Sequence, residues 1–183
     1  MGRAGILVLV VGPSGAGKDT LLSGARQALE GDARFHFARR EITRPAEAGS
    51  EHHIPLTNQQ FATNRAGYTL AWEAHGNGYG IPGSVMAELA DGRVVVANVS
   101  RTVIAEAAAR FTVRVLEITA SPAVLAARLA VRGREGPADQ ASRLARQVAL
   151  PPGTISVRIV NDAAVEDGVA AVLAALRNIA GRR

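Results

Sequence analysis

Between Leu7 and Thr20 the chain reads LVLVVGPSGAGKDT, with Gly12, Gly17 and Lys18 at the spacing of a phosphate-binding loop and Gly15 in addition. Glycines suit such a loop because its backbone must wrap closely around a phosphate with amide N–H groups turned inward, an approach that side chains obstruct. Pro13, Ser14 and Ala16 complete the run, and a helix opening near Gly17 brings its positive end to the same anion. Lys18 adds a flexible point charge suited to β- and γ-phosphate oxygens. It is the only lysine in the chain, every other basic residue being arginine. A general drift from lysine to arginine explains the scattered arginines, but not the one lysine that is kept.

The position after the lysine ordinarily holds Ser or Thr, whose hydroxyl helps bind magnesium; here it is Asp19. As an acid in a first helical turn, Asp19 gains about 0.3–1 kcal/mol from the helix dipole. As a metal contact, it faces Mg²⁺ directly or through one of the waters that ion retains. Thr20 lies about 100° further round the helix and takes over the hydroxyl role only after a shift.

A second group of chemistry-bearing residues is arginine. Arg39, Arg40 and Arg44 precede a stretch rich in His, Asn and Gly, and Arg132, Arg134, Arg143 and Arg146 surround a Gly-Pro break. Arginine grips two phosphate oxygens at once, so the second cluster reads as a lid over phosphates or, equally, as a solvated helix pair. Arg128 and Arg146 read as helix-surface residues. Arg101 follows an apolar run whose end is the usual ligand rim of a parallel sheet. His52, His53 and His75 lack a metal-ligand spacing and suit loop hydrogen bonding or sugar contact. Tyr79 either hydrogen-bonds an acceptor phosphate or packs, and Trp72 is expected in the core.

These residues need a scaffold, and the pattern supplies one. Apolar runs at Ile6–Val11, Arg93–Val99, Val113–Thr119 and Ile155–Val160 predict strands. Helical spacing covers Asp19–Leu29, Ser100–Ala109, Ala123–Arg132, Ala138–Leu150 and Ala163–Ile179. The alternation predicts an α/β fold with a mostly parallel sheet and helices on both faces, in three layers. The segment from Phe35 to Gly83 shows neither period and reads as a substrate-binding insertion; Val131 to Gln147 reads as the arginine-rich lid.

The totals agree with one domain over residues 1–183. The 183 residues are 48% hydrophobic and 20% charged, with 21 basic and 16 acidic side chains giving a net charge of +5. That excess suits a site gathering several phosphates, so no nucleic-acid partner is expected. The absence of cysteine excludes disulfides and thiol chemistry. The first apolar run is too short to span a bilayer, so neither a membrane partner nor a secretory signal is expected, and a cytoplasmic location follows. Nothing in the sequence sets an oligomeric state.

Several stretches resemble the ribose 1,5-bisphosphate phosphokinases, a guanylate kinase-like branch of the P-loop kinases. They are GPSGAGKDTLL (Gly12 to Leu22), RREITRPAEAGSEHH (Arg39 to His53), AWEAHGNGYGIP (Ala71 to Pro82), ANVSR (Ala97 to Arg101) and RLAVRGRE (Arg128 to Glu135). The resemblance makes the aspartate after the loop lysine usual. It implies transfer of the γ-phosphoryl of ATP, with Mg²⁺, to the 1-phosphate of ribose 1,5-bisphosphate, giving 5-phosphoribosyl 1-diphosphate and ADP in phosphonate breakdown. Gly12 to Thr20 and Arg134 would hold the nucleotide; Arg39, Arg40, Arg44, Tyr79 and Arg101 the acceptor; Lys18, Arg132 and Arg143 the transferring group.

Similarity to guanylate kinases appears in TRP (Thr43 to Pro45), HGNGYG (His75 to Gly80) and RIVND (Arg158 to Asp162). An ungapped alignment puts Leu70 at the guanine-binding carboxylate, Ile81 and Pro82 at the hydroxyl positions, and Glu47 at a phosphate-clamp arginine. GMP therefore fits poorly, although Glu73, one short gap away, keeps a guanylate kinase-like enzyme as the alternative. A non-catalytic module of the same fold is the other alternative, and such modules commonly lose the loop that is complete here. A phosphate acceptor needs no general base, its second pKa being about 6.

Overall fold

The computed structural model describes residues 4–45, 53–132 and 149–182, without the side chains of 131 and 132. Five parallel strands form the main sheet: β1 (Ile6–Val11), β2 (Phe35–Phe37), β7 (Val94–Asn98), β8 (Val113–Thr119) and β9 (Ser156–Val160), in the order β2-β7-β1-β8-β9. All six residues of β1 are buried. A central parallel strand covered on both faces has no polar side, which is why its sequence is an unbroken apolar run.

Its two faces build two cores. Ile6, Val8 and Val10 pack with Leu21 and Ala25 of α1 (Lys18–Ala28), Leu125 of α5 (Pro122–Arg132), and Val172 and Leu176 of α6 (Val165–Gly181). Leu7, Leu9 and Val11 pack with Val85 and Leu89 of α3 (Val85–Ala90) and Ile104 and Ala107 of α4 (Ile104–Arg110). Helix, sheet and helix make the three expected layers.

The second core also receives a smaller sheet. Its strands β3 (Glu41–Ile42), β4 (Ile54–Pro55), β5 (Tyr68–Ala74) and β6 (Asn77–Pro82) run in the order β4-β3-β6-β5. Ile42, Leu70, Trp72, Tyr79 and Ile81 of that sheet join the apolar cluster under β1 and β7. The short α2 (Asn58–Asn64) caps it, its start fixed by a reciprocal pair of hydrogen bonds between Thr57 and Gln60. Tyr68 donates to Glu41 Oε2 at 2.6 Å across the sheet. Burial, and then that bond, push the Tyr68 hydroxyl pKa up to about 12.

Two expectations change. Phe35–Phe37 pairs with β7 in the main sheet, so the inserted sheet begins at Glu41 and not at Phe35. The helix α3 was not foreseen between the insertion and β7. Of the expected helix over 138–150, residues 138–148 lie outside the described residues and 149–150 are not helical, and most of the lid, 133–147, also lies outside them.

Candidate active site

The loop from Gly12 to Gly17 leaves β1 where the sheet reverses direction of growth, with β7 on one side and β8 on the other. Ligands of open α/β sheets bind at this point, beyond the carboxyl ends of the strands. Gly12, Gly15 and Gly17 have φ values of 151°, 82° and 84°, conformations that side-chain-bearing residues rarely adopt. Gly17 caps α1, so the helix starts at Lys18 with its unpaired N–H groups toward the loop.

The loop is held from behind by Asn161, 5% exposed, whose Nδ2 donates to Ala16 O at 2.9 Å. A side chain at Gly17 would meet the same Nδ2 at 2.5 Å, so the glycine also makes room for this support. Lys18 folds over the loop and donates from Nζ to Gly12 O and Pro13 O, both at 2.9 Å. Ser14 and Thr20 face solvent.

Asp19 points across to the end of the neighbouring strand. Asn98, the last residue of β7, donates from Nδ2 to Asp19 Oδ1 at 2.7 Å, and Arg40 Nη2 lies 3.5 Å from the same oxygen. The Arg40 side chain is 11% exposed and its guanidinium sits 5.8 Å over the Tyr79 ring, which stacks on Trp72 at 5.3 Å. Tyr79 thus supplies a ring face under a phosphate-binding candidate, and Trp72 is core, as expected. Arg39 donates to His53 O at 3.1 Å, and buried His53 bonds through Nε2 to Arg44 O at 3.0 Å. This histidine ties together the two ends of the acceptor-side arginine group, which is the loop role expected of it.

Arg101 is placed differently from its sequence reading. Its guanidinium is bonded to Glu117, a β8 carboxylate only 6% exposed, which also accepts from Arg158 Nε at 2.6 Å. Arg101 is committed to this buried acid, which the sequence reading missed, because Glu117 lies one position beyond Leu116 on the opposite face of β8. Truncation of Glu117 to alanine should cost about 3 kcal/mol in denaturant unfolding, because the Arg101 side chain, 12% exposed, loses its counter-charge. A loss below about 1 kcal/mol would mean that both arginines reach water instead.

Arg128 is also corrected, from a helix-surface residue to one beside the loop. Its Nη1 is buried without a hydrogen-bond partner among the described residues and would lie 3.9 Å from a side chain at Gly17. The signal available was its position four residues before Arg132, which puts both on one helical face. Arg132 lies at the end of α5, and Arg134, Arg143 and Arg146 fall outside the described residues.

No family model matches the chain. It is 48% identical over 176 residues to the ribose 1,5-bisphosphate phosphokinase PhnN of Acidiphilium cryptum, covering 96% of this chain and 94% of that one. The protein of the same name from Methylobacterium radiotolerans is also 48% identical, over 94% of this chain and 98% of its own. The chain belongs to the ribose 1,5-bisphosphate phosphokinase family. In Azorhizobium caulinodans a bifunctional ribose 1,5-bisphosphokinase-thymidine phosphorylase matches at 46% identity, with only 26% of its length aligned. Among solved structures, a guanylate kinase from Anaplasma phagocytophilum superposes with a TM-score of 0.66 at 17% identity, over 96% of this chain and 86% of that one. The fold is therefore guanylate kinase-like.

Among the described residues of the inserted sheet, the positions aligned with a base-reading site are apolar. Leu70 is 1% exposed and Ile81 is fully buried, and the two pair across β5 and β6 in the apolar cluster. Glu73 does not compensate. Strand alternation puts it on the face opposite Trp72, where it is 74% exposed and lies 3.4 Å from Arg65 Nη1. A one-residue slip that brought it inward would turn Trp72 outward. Glu47 lies outside the described residues.

Among the described residues no three His, Cys, Asp or Glu side chains converge into a metal centre. Magnesium in a kinase asks for less, one or two carboxylates plus phosphate oxygens and water. Asp19, with its side chain 45% exposed, and the buried Oδ1 of Asn98, which has no partner among the described residues, fit that requirement. No described helix is long and apolar enough to cross a membrane.

Proposed function

We propose that this chain transfers the γ-phosphoryl group of ATP to the 1-phosphate of ribose 1,5-bisphosphate, giving 5-phosphoribosyl 1-diphosphate and ADP. The observation that carries this reading is the substitution of apolar, buried Leu70 and Ile81 where a guanylate kinase would read its base, in a chain whose phosphate loop is complete. The names of its relatives agree, and through the same resemblance the step is assigned to phosphonate breakdown.

In this reaction an oxygen of the acceptor phosphate forms a bond to the γ-phosphorus, and the bond from that phosphorus to the β,γ-bridging oxygen breaks. ADP leaves with the electron pair. The acceptor is already an anion at neutral pH, so the protein needs no base and has to position and neutralise two polyanions. The loop N–H groups and Lys18 hold the β- and γ-phosphates. Arg39, Arg40 and Arg44 hold the acceptor, with Arg40 oriented by the Tyr79 ring. Arg128 reaches the loop from α5, and Arg132, Arg134 and Arg143 are assigned to closing over the transferring group. Asp19 would hold magnesium directly or through water, and the bound ion would supply positive charge that offsets the charge on the phosphates.

A coupled assay of ADP release with ATP and magnesium tests the reading. Ribose 1,5-bisphosphate is expected to exceed GMP by on the order of 10⁴-fold in kcat/KM, the scale on which sites discriminate by buried hydrogen-bonding groups, and ribose 5-phosphate should be inert. Turnover with GMP alone would overturn the assignment. Absence of ADP release with every acceptor would point to a non-catalytic module.

A further inference from the structure

In P-loop enzymes magnesium is held by the hydroxyl after the loop lysine and by a carboxylate supplied from a neighbouring strand. Both residues differ here, and in complementary ways. The loop position carries the carboxylate, Asp19, and the end of β7, the strand beside β1, carries a neutral amide, Asn98, level with Val10. The two touch, with Asn98 Nδ2 donating to Asp19 Oδ1 at 2.7 Å. Asn98 is 8% exposed, and its Oδ1 is buried with no partner among the described residues.

A buried amide oxygen left unpaired is destabilising, so its presence calls for a reason. Simple packing does not supply one, because Val94, Val95, Val96 and Ala97 satisfy the same strand with apolar side chains. An aspartate at 98 would instead set a second negative oxygen against Asp19 and leave it without its donor. With asparagine, the site keeps the single carboxylate of the usual pair in the opposite place.

We propose that Asp19 and Asn98 are an interchanged magnesium pair. Asn98 is a positioning residue that holds Asp19 through Nδ2 and offers Oδ1 to the hydrated ion. The inference rests on the kinase reading of the loop and is independent of which acceptor is used.

The test measures binding and not turnover. The dissociation constant of a fluorescent ADP analogue is taken in Mg²⁺ and in EDTA, and the ratio of the two reports the coupling between nucleotide and metal. Asp19→Ser should lower that ratio at least about tenfold, and the double variant Asp19→Ser/Asn98→Asp, which restores the usual arrangement, should regain most of it. Asn98→Ala should lower the ratio by about tenfold while affinity in EDTA stays within about twofold, a split that a purely structural role would not give. The proposal is overturned if Asp19→Ser keeps the wild-type ratio, if the double variant behaves like Asp19→Ser, or if Asn98→Ala changes both conditions equally. Failure of wild-type protein to bind ADP in either condition would refute the kinase reading itself, a different result.

Discussion

Replacement of Lys18 by alanine is expected to lower kcat by on the order of 10³-fold while leaving the folded state almost as stable as before. The ammonium is the only lysine charge the chain has, and it bonds the carbonyls of Gly12 and Pro13. Those carbonyls are half-buried, so water replaces the lost bonds and the unfolding free energy should fall by no more than about 1 kcal/mol. The transferring phosphoryl has no such substitute. In the proposed reaction its charge would develop beside the loop, where a positioned cation stabilises it without reorganisation. Steady-state kinetics with ribose 1,5-bisphosphate, together with thermal melts, check both halves. A variant that melts normally and retains more than about a tenth of wild-type kcat would remove Lys18 from the reaction and with it the assignment of the loop.

The contrast between what the sequence disclosed and what it concealed follows the distance over which each residue acts. β1 and β8 were legible because burial on both faces demands an unbroken apolar run, and the phosphate loop because its chemistry is written at fixed local offsets. Phe35–Phe37 was not, since three residues show no period and their place in the main sheet is decided by pairing with β7. The helix α3 spans only six residues behind the insertion, too short for its spacing to stand out. The site divides in the same way. Asn161 supports a loop carbonyl 145 positions away, Asn98 meets an acid 79 positions away, and Glu117 owes its role to Arg101 and Arg158. Asn98 and Asn161 fall inside the ANVSR and RIVND stretches, but nothing in those stretches says which distant group each one meets.

Gly12→Ala should do the reverse of Lys18→Ala and damage the fold before the chemistry. Gly12 has a φ of 151°, and a Cβ there would stand 1.8 Å from the carbonyl oxygen of Ile118. That oxygen cannot withdraw as a flexible side chain would, because β8 is hydrogen-bonded to β1 on one side and to β9 on the other. Backbone strain and forced displacement each cost about 1–3 kcal/mol, so the expected loss is on the order of 4 kcal/mol. For a domain of this length that corresponds to a fall in Tm on the order of 10 °C. Gly31→Ala is the control for a positive φ without close contact: its φ is 82°, also unfavourable for alanine, but a Cβ there meets nothing within 4 Å. That control should lose only the conformational part, about 1–2 kcal/mol. If calorimetry gives the two variants the same Tm, the close approach of β8 is not what reserves this position for glycine. If Gly12→Ala melts far below the control, the first glycine of the loop is kept by the neighbouring strand as well as by the phosphate it helps to surround.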